Sequence, residues 1–215
     1  MAEHPAGLRE RKRQRTYKAI SDAAVTLFLD KGFDAVSVSE IAEAAEVSKP
    51  TLFRYFPAKE DMALYRFADH EDEAARVVAG RGEGVRPLAA LEDHFLARLE
   101  AHDPVTGLCD APEVLAFHRL LYGTPSLVAR LHSYTARSEE ALAAELEKAA
   151  PAGSVPPTLT ARLAAGQIVT SQRVLATANW QRIAQGASAD SVLDDARRDA
   201  RHAFALLRTG LAPFA

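Results

Sequence analysis

Two helix-start signals lie close together in residues 31–62, and they leave room only for two short helices joined by a tight turn. Ser37 can cap the first helix through its hydroxyl, and Glu40, three residues later, can complete a capping box. Ser48 can cap the second helix, and Pro57 ends it within about three turns because proline does not continue a helix. The spacing therefore predicts a helix-turn-helix.

The two predicted helices differ in the side chains that they direct outward. The first has one apolar stripe at helical spacing, formed by Val38, Ile41, Ala42 and Ala45. The second directs Leu52 and Phe56 to the core and leaves donors and flat rings on its outer faces, namely Lys49, Thr51, Phe53, Arg54 and Tyr55. Such groups bind phosphates and read base edges in duplex DNA. We interpret the second helix as a recognition helix, with the alternative that Phe53 belongs to the core.

The segment GFDAVSVSEIAEAAEVSKPTLFRYFPAKEDM resembles the N-terminal domain of TetR-family transcriptional regulators. In that family a Gly-aromatic pair ends helix 1, an I-A-x-x-A run forms helix 2, V-S-x-x-T-L-[YF]-x-[HY]-F forms helix 3, and F-x-x-K-E opens helix 4. The resemblance covers residues 10–65, with two departures. Val36 replaces a frequent Thr, which can remove a phosphate contact. Glu46 replaces the usual Gly in the turn, where a positive φ penalises a side chain.

The resemblance implies a role for each matching position at a DNA duplex. Ser37, Phe53 or Tyr55, and Lys59 are expected to hold phosphates. Lys49, Thr51 and Arg54 are expected to read bases, and Pro50 to touch a thymine methyl group. The complete predicted DNA-binding set is Ser37, Ser48, Lys49, Pro50, Thr51, Phe53, Arg54, Tyr55 and Lys59.

The acidic total charge conceals a basic N-terminal segment. The formal net charge is −3, yet residues 1–59 contain 10 Lys and Arg against 8 Asp and Glu, whereas residues 60–215 contain 16 against 21. The basic excess lies ahead of the predicted helix 1 and is formed by Arg9, Arg11, Lys12, Arg13, Arg15 and Lys18. A basic terminus can be merely solvated, but beside this motif we interpret it as an arm that neutralises DNA phosphates.

The remaining pattern is helical throughout and predicts an all-α fold of about nine helices. A three-helix, homeodomain-like helix-turn-helix domain with the basic arm is assigned to residues 1–57. A helical effector-binding and dimerisation domain is assigned to residues 58–215. Helix 4 is predicted to run from near Ala58 toward Val78 and to link the two domains.

The last two predicted helices are rich in small residues that allow close helix approach. Such helices can pack inside a monomer, but in the family that the chain resembles they usually form the dimer interface. The predicted interface residues are Gly166, Val169, Arg173, Ala196, Ala200, Ala203, Phe204 and Leu207. A two-fold dimer would place two recognition helices about 34 Å apart and would require a palindromic DNA operator.

Aromatic and hydrogen-bonding residues on the central helices are candidates for an effector pocket. They are Phe67, His70, Leu91, Phe95, Phe117, His118, Leu121, Tyr134, Gln172, Asn179 and Trp180. Part of this set is expected to be plain core, and Trp180 could belong to the dimer interface instead. The effector is expected to be a small, largely apolar molecule, because this region has no basic cluster suited to phosphate groups.

The sequence lacks the patterns of an enzyme, a metalloprotein or an exported protein. The seven His residues form no H-E-x-x-H pattern, and the GRGEG segment at residues 80–84 lacks the Lys and the preceding strand of a phosphate loop. Cys109 has no partner for an intrachain disulfide, and no apolar run is long enough to span a membrane. We therefore expect a cytoplasmic transcriptional regulator without catalytic residues, metal or cofactor, most simply a ligand-relieved repressor. The alternative is a helical effector-binding or protein-interaction module that has lost specific DNA reading.

Overall fold

A computed structural model describes residues 5–149 and 157–210, with the side chains of residues 5–10, 68, 69 and 157 excluded. The α-helices of these ranges are α1 (Pro5–Lys31), α2 (Val38–Ala44), α3 (Lys49–Tyr55), α4 (Lys59–Leu64), α5 (Glu73–Ala79), α6 (Pro87–Glu100), α7 (Pro112–Gly123), α8 (Pro125–Ala149), α9 (Pro157–Ala184) and α10 (Ala189–Gly210). Two 3-10 helices cover Tyr65–His70 and Pro104–Thr106. The predicted all-α fold is confirmed, and the described residues contain no strand.

The predicted single helix from Ala58 toward Val78 is wrong, which adds one helix to the expected nine. α4 ends at Leu64, a 3-10 turn follows, and α5 begins only at Glu73. Tyr65 opens the 3-10 turn, and its hydroxyl donates to the side-chain oxygen of Gln14 at 2.7 Å, which ties this point to α1. The acidic run 71–73 then suits a new helix start, because the helix dipole favours negative charge there.

Contacts divide the chain into two compact units. The first comprises Met1–Asp69 and Ala116–His132, and the second comprises His70–Leu115 and Ser133–Ala215. The predicted boundary after residue 57 is a functional division and stays a prediction. None of the helices in the described ranges is both long and apolar enough to cross a bilayer.

The first unit has its own apolar core, in which α1 packs against α2 and α4. Its buried side chains within residues 20–64 include Ile20, Ala24, Val25, Phe28, Phe33, Val36, Ile41, Ala42, Leu52, Phe56, Met62 and Leu64. Val36 is only 2% exposed, so its replacement of Thr alters the core and not an outward phosphate contact. The predicted recognition helix, α3, therefore packs against this core.

Two polar contacts fix α4 within this unit. The buried hydroxyl of Ser21 donates to the carbonyl of Met62 at 2.8 Å. The guanidinium of Arg130 on α8 donates to both carboxylate oxygens of Asp61, at 2.7 and 2.9 Å. Asp61 also accepts from the backbone N–H of Ala58 at 3.2 Å, so this buried carboxylate caps the start of α4 as well. The helix that follows the recognition helix is therefore held at its beginning and along its length.

The turn between α2 and α3 contains a residue in the left-handed region, as its departure from the family pattern predicts. Val47 N–H bonds to the Ala42 carbonyl at 2.9 Å, and Glu46 N–H bonds to the Glu43 carbonyl at 3.0 Å. These two bonds are those of a Schellman motif, whose first residue beyond the cap is left-handed. Glu46 occupies that position with φ 53°. The turn keeps the geometry that Gly would adopt at lower cost.

Replacing Glu46 with glycine should stabilise the protein. The left-handed conformation costs an L-residue about 1–2 kcal/mol, and glycine avoids that cost but loses more chain entropy on folding. We expect Glu46→Gly to raise the free energy of unfolding by about 1 kcal/mol, measured by chemical denaturation at one protein concentration. The exposed Glu43→Gly, inside α2, is the control and should destabilise by a similar amount. If Glu46→Gly destabilises as much as Glu43→Gly, the strain assigned to this turn is absent.

The second unit is built around α6, α9 and α10. The apolar face of α10, which includes Ala196, Ala200 and Phe204, packs in this core, and the Phe95 and Phe204 rings lie 6.3 Å apart. Ion pairs link the same helices at their edges. They are Glu92 with Arg208, Glu100 with Arg197, and Arg182 with Asp199. The long C-terminal helices are therefore held by their own chain.

A polar cluster joins α5 to α6 in the second unit. The carboxylate of Glu73 accepts from Arg98 at 2.6 Å and lies 2.9 Å from His70 Nδ1 and 3.0 Å from His94 Nε2. Burial raises the pKa of Glu73, but the hydrogen bonds with His70 and His94 and the charge of Arg98 outweigh burial and lower this pKa to about 2. Glu73 consequently stays ionised and bridges the two helices over the physiological pH range.

Candidate DNA-binding site

The two predicted helix caps of the helix-turn-helix are confirmed. Ser37 Oγ accepts from the Glu40 backbone N–H at 3.2 Å, and the Glu40 carboxylate accepts from the Ser37 N–H at 2.8 Å. These bonds, chiefly the one from the Ser37 backbone, together with Lys31 lower the pKa of Glu40 to about 2. Ser48 Oγ accepts from the Thr51 N–H at 3.2 Å. α2 and α3 therefore start where the sequence places them.

The outer face of α3 exposes most of the predicted base-reading residues. Lys49, Pro50 and Arg54 are exposed, and Phe53 is 49% exposed, so Phe53 is not a core residue. Thr51 and Tyr55 are half-buried, while Leu52 and Phe56 are buried on the opposite side as predicted. Two cations, a proline ring and an aromatic ring are thus exposed to solvent on one short helix, and the major groove of DNA admits an α-helix.

Three further side chains of the predicted DNA-binding set have partners within the protein. The hydroxyls of Ser48 and Thr51 share a hydrogen bond at 2.9 Å. The ammonium of Lys59 donates to the carbonyl of Phe33 and lies 4.2 Å from the centre of the Phe33 ring. Lys59 therefore supports the fold of the first unit, and its predicted phosphate contact stays a prediction.

The predicted basic arm lies on α1 and not ahead of it. α1 begins at Pro5, whereas the first aromatic side chain packed against other elements is that of Tyr17, so about three helical turns precede the packed region. Arg11, Lys12, Arg13, Arg15 and Lys18 are exposed on this extension, and the side chain of Arg9 lies outside the described residues. The sequence pattern did not predict this part of the helix, because its residues are mostly charged and form no apolar stripe at helical spacing.

An aromatic cluster behind the recognition helix was missed by the sequence reading. The Tyr17 ring lies 4.7 Å from Tyr55, 5.2 Å from Phe56 and 5.3 Å from Tyr65, between ring centres. The one available sequence signal is that Tyr17 lies one turn before Ile20, where the apolar stripe of α1 begins, and this spacing does not identify the rings that Tyr17 contacts. The cluster joins α1, the end of α3 and the segment after α4.

The predicted effector residues divide between the two units. Phe67, Phe117, His118 and Leu121 belong to the first unit, where the Phe67 and Phe117 rings lie 6.0 Å apart. Burial lowers the pKa of His118. The second unit contains His70, Leu91, Phe95, Tyr134, Gln172, Asn179 and Trp180.

Several of these residues already have structural roles. Leu91 and Phe95 are in the core of the second unit, and His70 belongs to the Glu73 cluster. Asn179 is 1% exposed and donates to the Thr106 carbonyl at 3.0 Å. Tyr134 is covered by the guanidinium of Arg137, 4.3 Å from the ring centre. Effector binding by the set stays a prediction. Among the described residues, no group of three or more His, Cys, Asp or Glu is arranged to hold a metal ion.

The predicted dimer residues also separate into buried and accessible groups. Ala196, Ala200, Phe204 and Leu207 are buried by their own chain, because the apolar stripe of α10 faces α6 and α9. Gly166, Val169 and Ala203 are half-buried, and Arg173 is exposed. The four buried residues are thus core residues in this structure, and surface contacts must come from other positions.

Helices α9 and α10 expose apolar side chains that are not among the predicted interface residues. Leu159, Leu163 and Val174 on α9 are 54%, 57% and 54% exposed, and Leu206 on α10 is 63% exposed. An open groove of about 510 Å³ adjoins Leu163 and is lined by Arg162, Leu163, Gly166, Gln167, Thr170, Ser171 and Leu207. We call these exposed leucines and valine, with the groove, the α9–α10 face. Isolated apolar residues are common on surfaces, whereas several at helical spacing on one helix form a candidate interaction surface.

Comparison with known proteins supports the resemblance in the sequence. The family model described as bacterial regulatory proteins, tetR family, matches residues 20–65. The HTH-type transcriptional regulator TcmR of Streptomyces glaucescens is 36% identical over 135 residues, which cover 62% of this chain and 58% of TcmR. The HTH-type transcriptional regulator RutR of Escherichia coli K12 is 34% identical over 94 residues, which cover 44% of each chain. The matches thus span less than two thirds of either relative.

A solved structure extends the likeness of fold to nearly the whole chain. The crystal structure of a regulator from Streptomyces coelicolor A3, described as belonging to the same family, superposes with a TM-score of 0.54 at 24% identity. The superposition covers 90% of this chain and 95% of that chain. At this identity the likeness concerns the fold alone.

Proposed function

We propose that this chain is a TetR-family, sequence-specific DNA-binding transcriptional regulator, a repressor whose operator binding is relieved by a small molecule. The observation that carries the proposal is the outer face of α3. Lys49, Pro50, Phe53 and Arg54 are exposed together there, on a helix capped by Ser48 and backed by a packed core. The protein acts on chromosomal DNA in the cytoplasm.

The residues of the motif divide into two roles at the DNA. Lys49, Thr51 and Arg54 read base edges, and Pro50 contacts a thymine methyl group. Ser37, Ser48, Phe53, Tyr55 and Lys59 contact or position the phosphates, and the basic extension of α1 adds charge that does not depend on sequence. Arg54 is the strongest base reader of this set because a guanidinium can donate two hydrogen bonds to guanine.

Replacing Arg54 with alanine should relax sequence preference more than it weakens DNA binding in general. A bidentate contact to guanine contributes about 1–3 kcal/mol of discrimination, so the preference at one base pair should fall roughly 5- to 150-fold. Mobility shifts with the preferred duplex and with duplexes altered at single base pairs measure this preference. The exposed Arg201 on α10 provides the matched control, and Arg201→Ala should leave the preference unchanged. An unaltered preference in Arg54→Ala would remove Arg54 from base reading.

We further propose that the protein acts as a homodimer through the α9–α10 face. Leu159, Leu163 and Val174 share one side of α9 by their helical spacing, and Leu206 is a further exposed apolar residue on α10. A two-fold dimer presents two recognition helices to one duplex, so the operator is a palindrome. The half-buried Gly166, Val169 and Ala203 and the exposed Arg173 complete the proposed interface, with Gly166 allowing close helix approach.

The proposed effector is a small molecule that is largely apolar and carries one or two polar groups. In the first unit the predicted effector residues are chiefly apolar and aromatic, with one polar ring; they are Phe67, Phe117, His118 and Leu121. Release of DNA requires only that the effector binds the DNA-incompetent state more tightly, and a coupling of about 1–3 kcal/mol changes affinity 5- to 150-fold. A thermal-shift screen of small molecules would detect binding, and a mobility shift with each hit would test release.

One experiment separates this function from the alternative of a helical effector-binding or protein-interaction module without DNA reading. The protein is mixed with the DNA upstream of its own coding sequence at 50 and 200 mM salt. A regulator binds that duplex with an affinity that falls steeply with salt, because bound phosphates release counterions. Binding of that DNA no tighter than random duplex at both salt concentrations would favour the alternative.

A further inference from the structure

Tyr17 is the meeting point of three other aromatic rings. Its ring packs edge-on against Tyr55 at 4.7 Å and Phe56 at 5.2 Å, and it stacks on Tyr65 at 5.3 Å with an angle of 9° between planes. These distances lie in the range in which aromatic pairs attract one another beyond simple burial. Tyr65 is held in turn, because its hydroxyl donates to Gln14 at 2.7 Å. Tyr17 is therefore fixed on three sides.

The cluster extends at both ends to a cation, because an arginine lies over the Tyr17 ring and another lies over the Tyr55 ring. The Arg13 guanidinium carbon lies 5.5 Å from the centre of the Tyr17 ring, and the Arg54 guanidinium carbon lies 5.6 Å from the centre of the Tyr55 ring. Both distances fall within the roughly 6 Å reach of a cation–π interaction. Arg13, Tyr17, Tyr55 and Arg54 thus form a continuous series that begins on α1 and ends on the DNA-facing surface.

We propose that Tyr17 is a positioning residue for base reading, which sets the orientation of Arg54 through the ring of Tyr55. The inference rests on the proposed DNA-binding function and adds to it a residue that lies outside the recognition helix. Tyr17 does not touch DNA in this account. It acts by restricting Tyr55, and the restricted Tyr55 ring holds the Arg54 side chain over its face.

The length of α3 explains why the recognition helix needs such support. α3 spans only Lys49–Tyr55, and a helix of two turns has little stability of its own in water. Its C-terminal end carries Tyr55 and then Phe56, and both rings contact Tyr17. Arg54 is exposed, and a long exposed side chain samples many rotamers unless a neighbour restricts it. Restriction before binding lowers the entropy lost on binding, so it favours the guanine contact.

The test compares Tyr17→Leu, Tyr17→Phe and Arg54→Ala in the full-length chain, together with the double variant Tyr17→Leu/Arg54→Ala. The probes are the duplex that the wild-type protein selects from a randomised pool and duplexes altered at each base pair. Tyr17→Leu removes the ring and keeps an apolar side chain, whereas Tyr17→Phe retains the ring. Tyr17→Met, whose flexible side chain can fill the space without a ring, replaces Tyr17→Leu if the latter does not fold. Tyr122→Leu, which removes an exposed tyrosine ring on α7 that is not part of this cluster, is the control.

We expect Tyr17→Leu to lower discrimination at the base pair read by Arg54 at least fivefold, and Tyr17→Phe and Tyr122→Leu to retain it. Tyr17→Leu should cause no further loss in the Arg54→Ala background, because it acts through Arg54. Equal weakening on all duplexes, or losses that multiply in the double variant, would overturn the positioning role. If the wild-type protein selected no duplex, the proposed function itself would fail instead, so the two failures are distinguishable.

Discussion

Leu163→Glu should convert a dimeric protein into a monomer and reduce its affinity for the complete operator about 100-fold or more. Leu163 is 57% exposed within its own chain and lines the groove of the α9–α10 face. A glutamate at this position would bring two like charges into an apolar two-fold interface, where no partner compensates for their lost hydration. Each recognition helix would then bind its half-site alone, without the roughly 10²- to 10⁴-fold gain that linked binding provides.

Sedimentation at micromolar protein concentration measures the first effect, and a mobility shift with the full palindrome measures the second. Val85→Glu is a suitable control, since Val85 is also an exposed apolar residue, at 41%, but lies outside this face. The free energy of unfolding of the separated monomer tests whether the fold survives. A dimeric Leu163→Glu with unchanged operator affinity would show that the interface lies elsewhere.

Gly107→Ala should destabilise the protein by roughly 2–5 kcal/mol, which is a large part of the stability of an ordinary domain. Gly107 has φ 73°, a conformation that favours glycine. A Cβ atom at this position would lie 1.9 Å from the Ala176 carbonyl oxygen and 3.0 Å from the Trp180 nitrogen, and both are backbone atoms. Neither can move aside without displacing α9.

The neighbouring contacts make that displacement costly. Asn179 donates to the Thr106 carbonyl in a buried hydrogen bond, so a shift of the loop leaves both groups without partners. Chemical denaturation at one fixed protein concentration gives the comparison, because dimer stability depends on concentration. Gly123→Ala is the control, since a Cβ there meets no atom within 4 Å, and it should change stability by less than about 1 kcal/mol. Equal effects of both variants would refute the close packing of this loop.

The helix-turn-helix was predictable because its determinants are local. Ser37 and Ser48 cap their helices through bonds to residues three positions away, and proline sets the end of α3. The positive φ at Glu46 also followed from the departure at a single position. Signals of this kind act within a few residues, so the sequence alone contains them.

The dimer and effector residues were less predictable because an apolar stripe does not identify what covers it. Ala196, Ala200 and Phe204 have the spacing of an interface, but their partners are α6 and α9 of the same chain. Leu163 and Leu206 lie on the outer surface, yet they do not stand out from other leucines in the sequence. Asn179 was predicted to contact a ligand because it is a polar residue on a central helix, but its amide donates to the Thr106 carbonyl. Such partners lie far away in the sequence and are specified only by the packed structure.

The aromatic cluster behind α3 was unpredictable for the same reason. Tyr17, Tyr55 and Tyr65 are separated by 38 and 10 residues, and no periodic pattern relates them. The break between α4 and α5 is coupled to this cluster, because Tyr65 begins the 3-10 turn. Local helix propensity favours one continuous helix there, but the structure has two helices, and the break between them coincides with tertiary contacts of Tyr65.

Selection of duplexes from a randomised pool tests the central claim most directly. The full-length protein is incubated with the pool at low salt, and bound DNA is sequenced after several rounds at rising salt. We predict enrichment of one imperfect inverted repeat, with half-site centres about one helical turn apart or a small multiple of it, as a two-fold dimer requires. A pool that stays random through all rounds, while the protein remains folded, would contradict the assignment of this chain as a sequence-specific regulator.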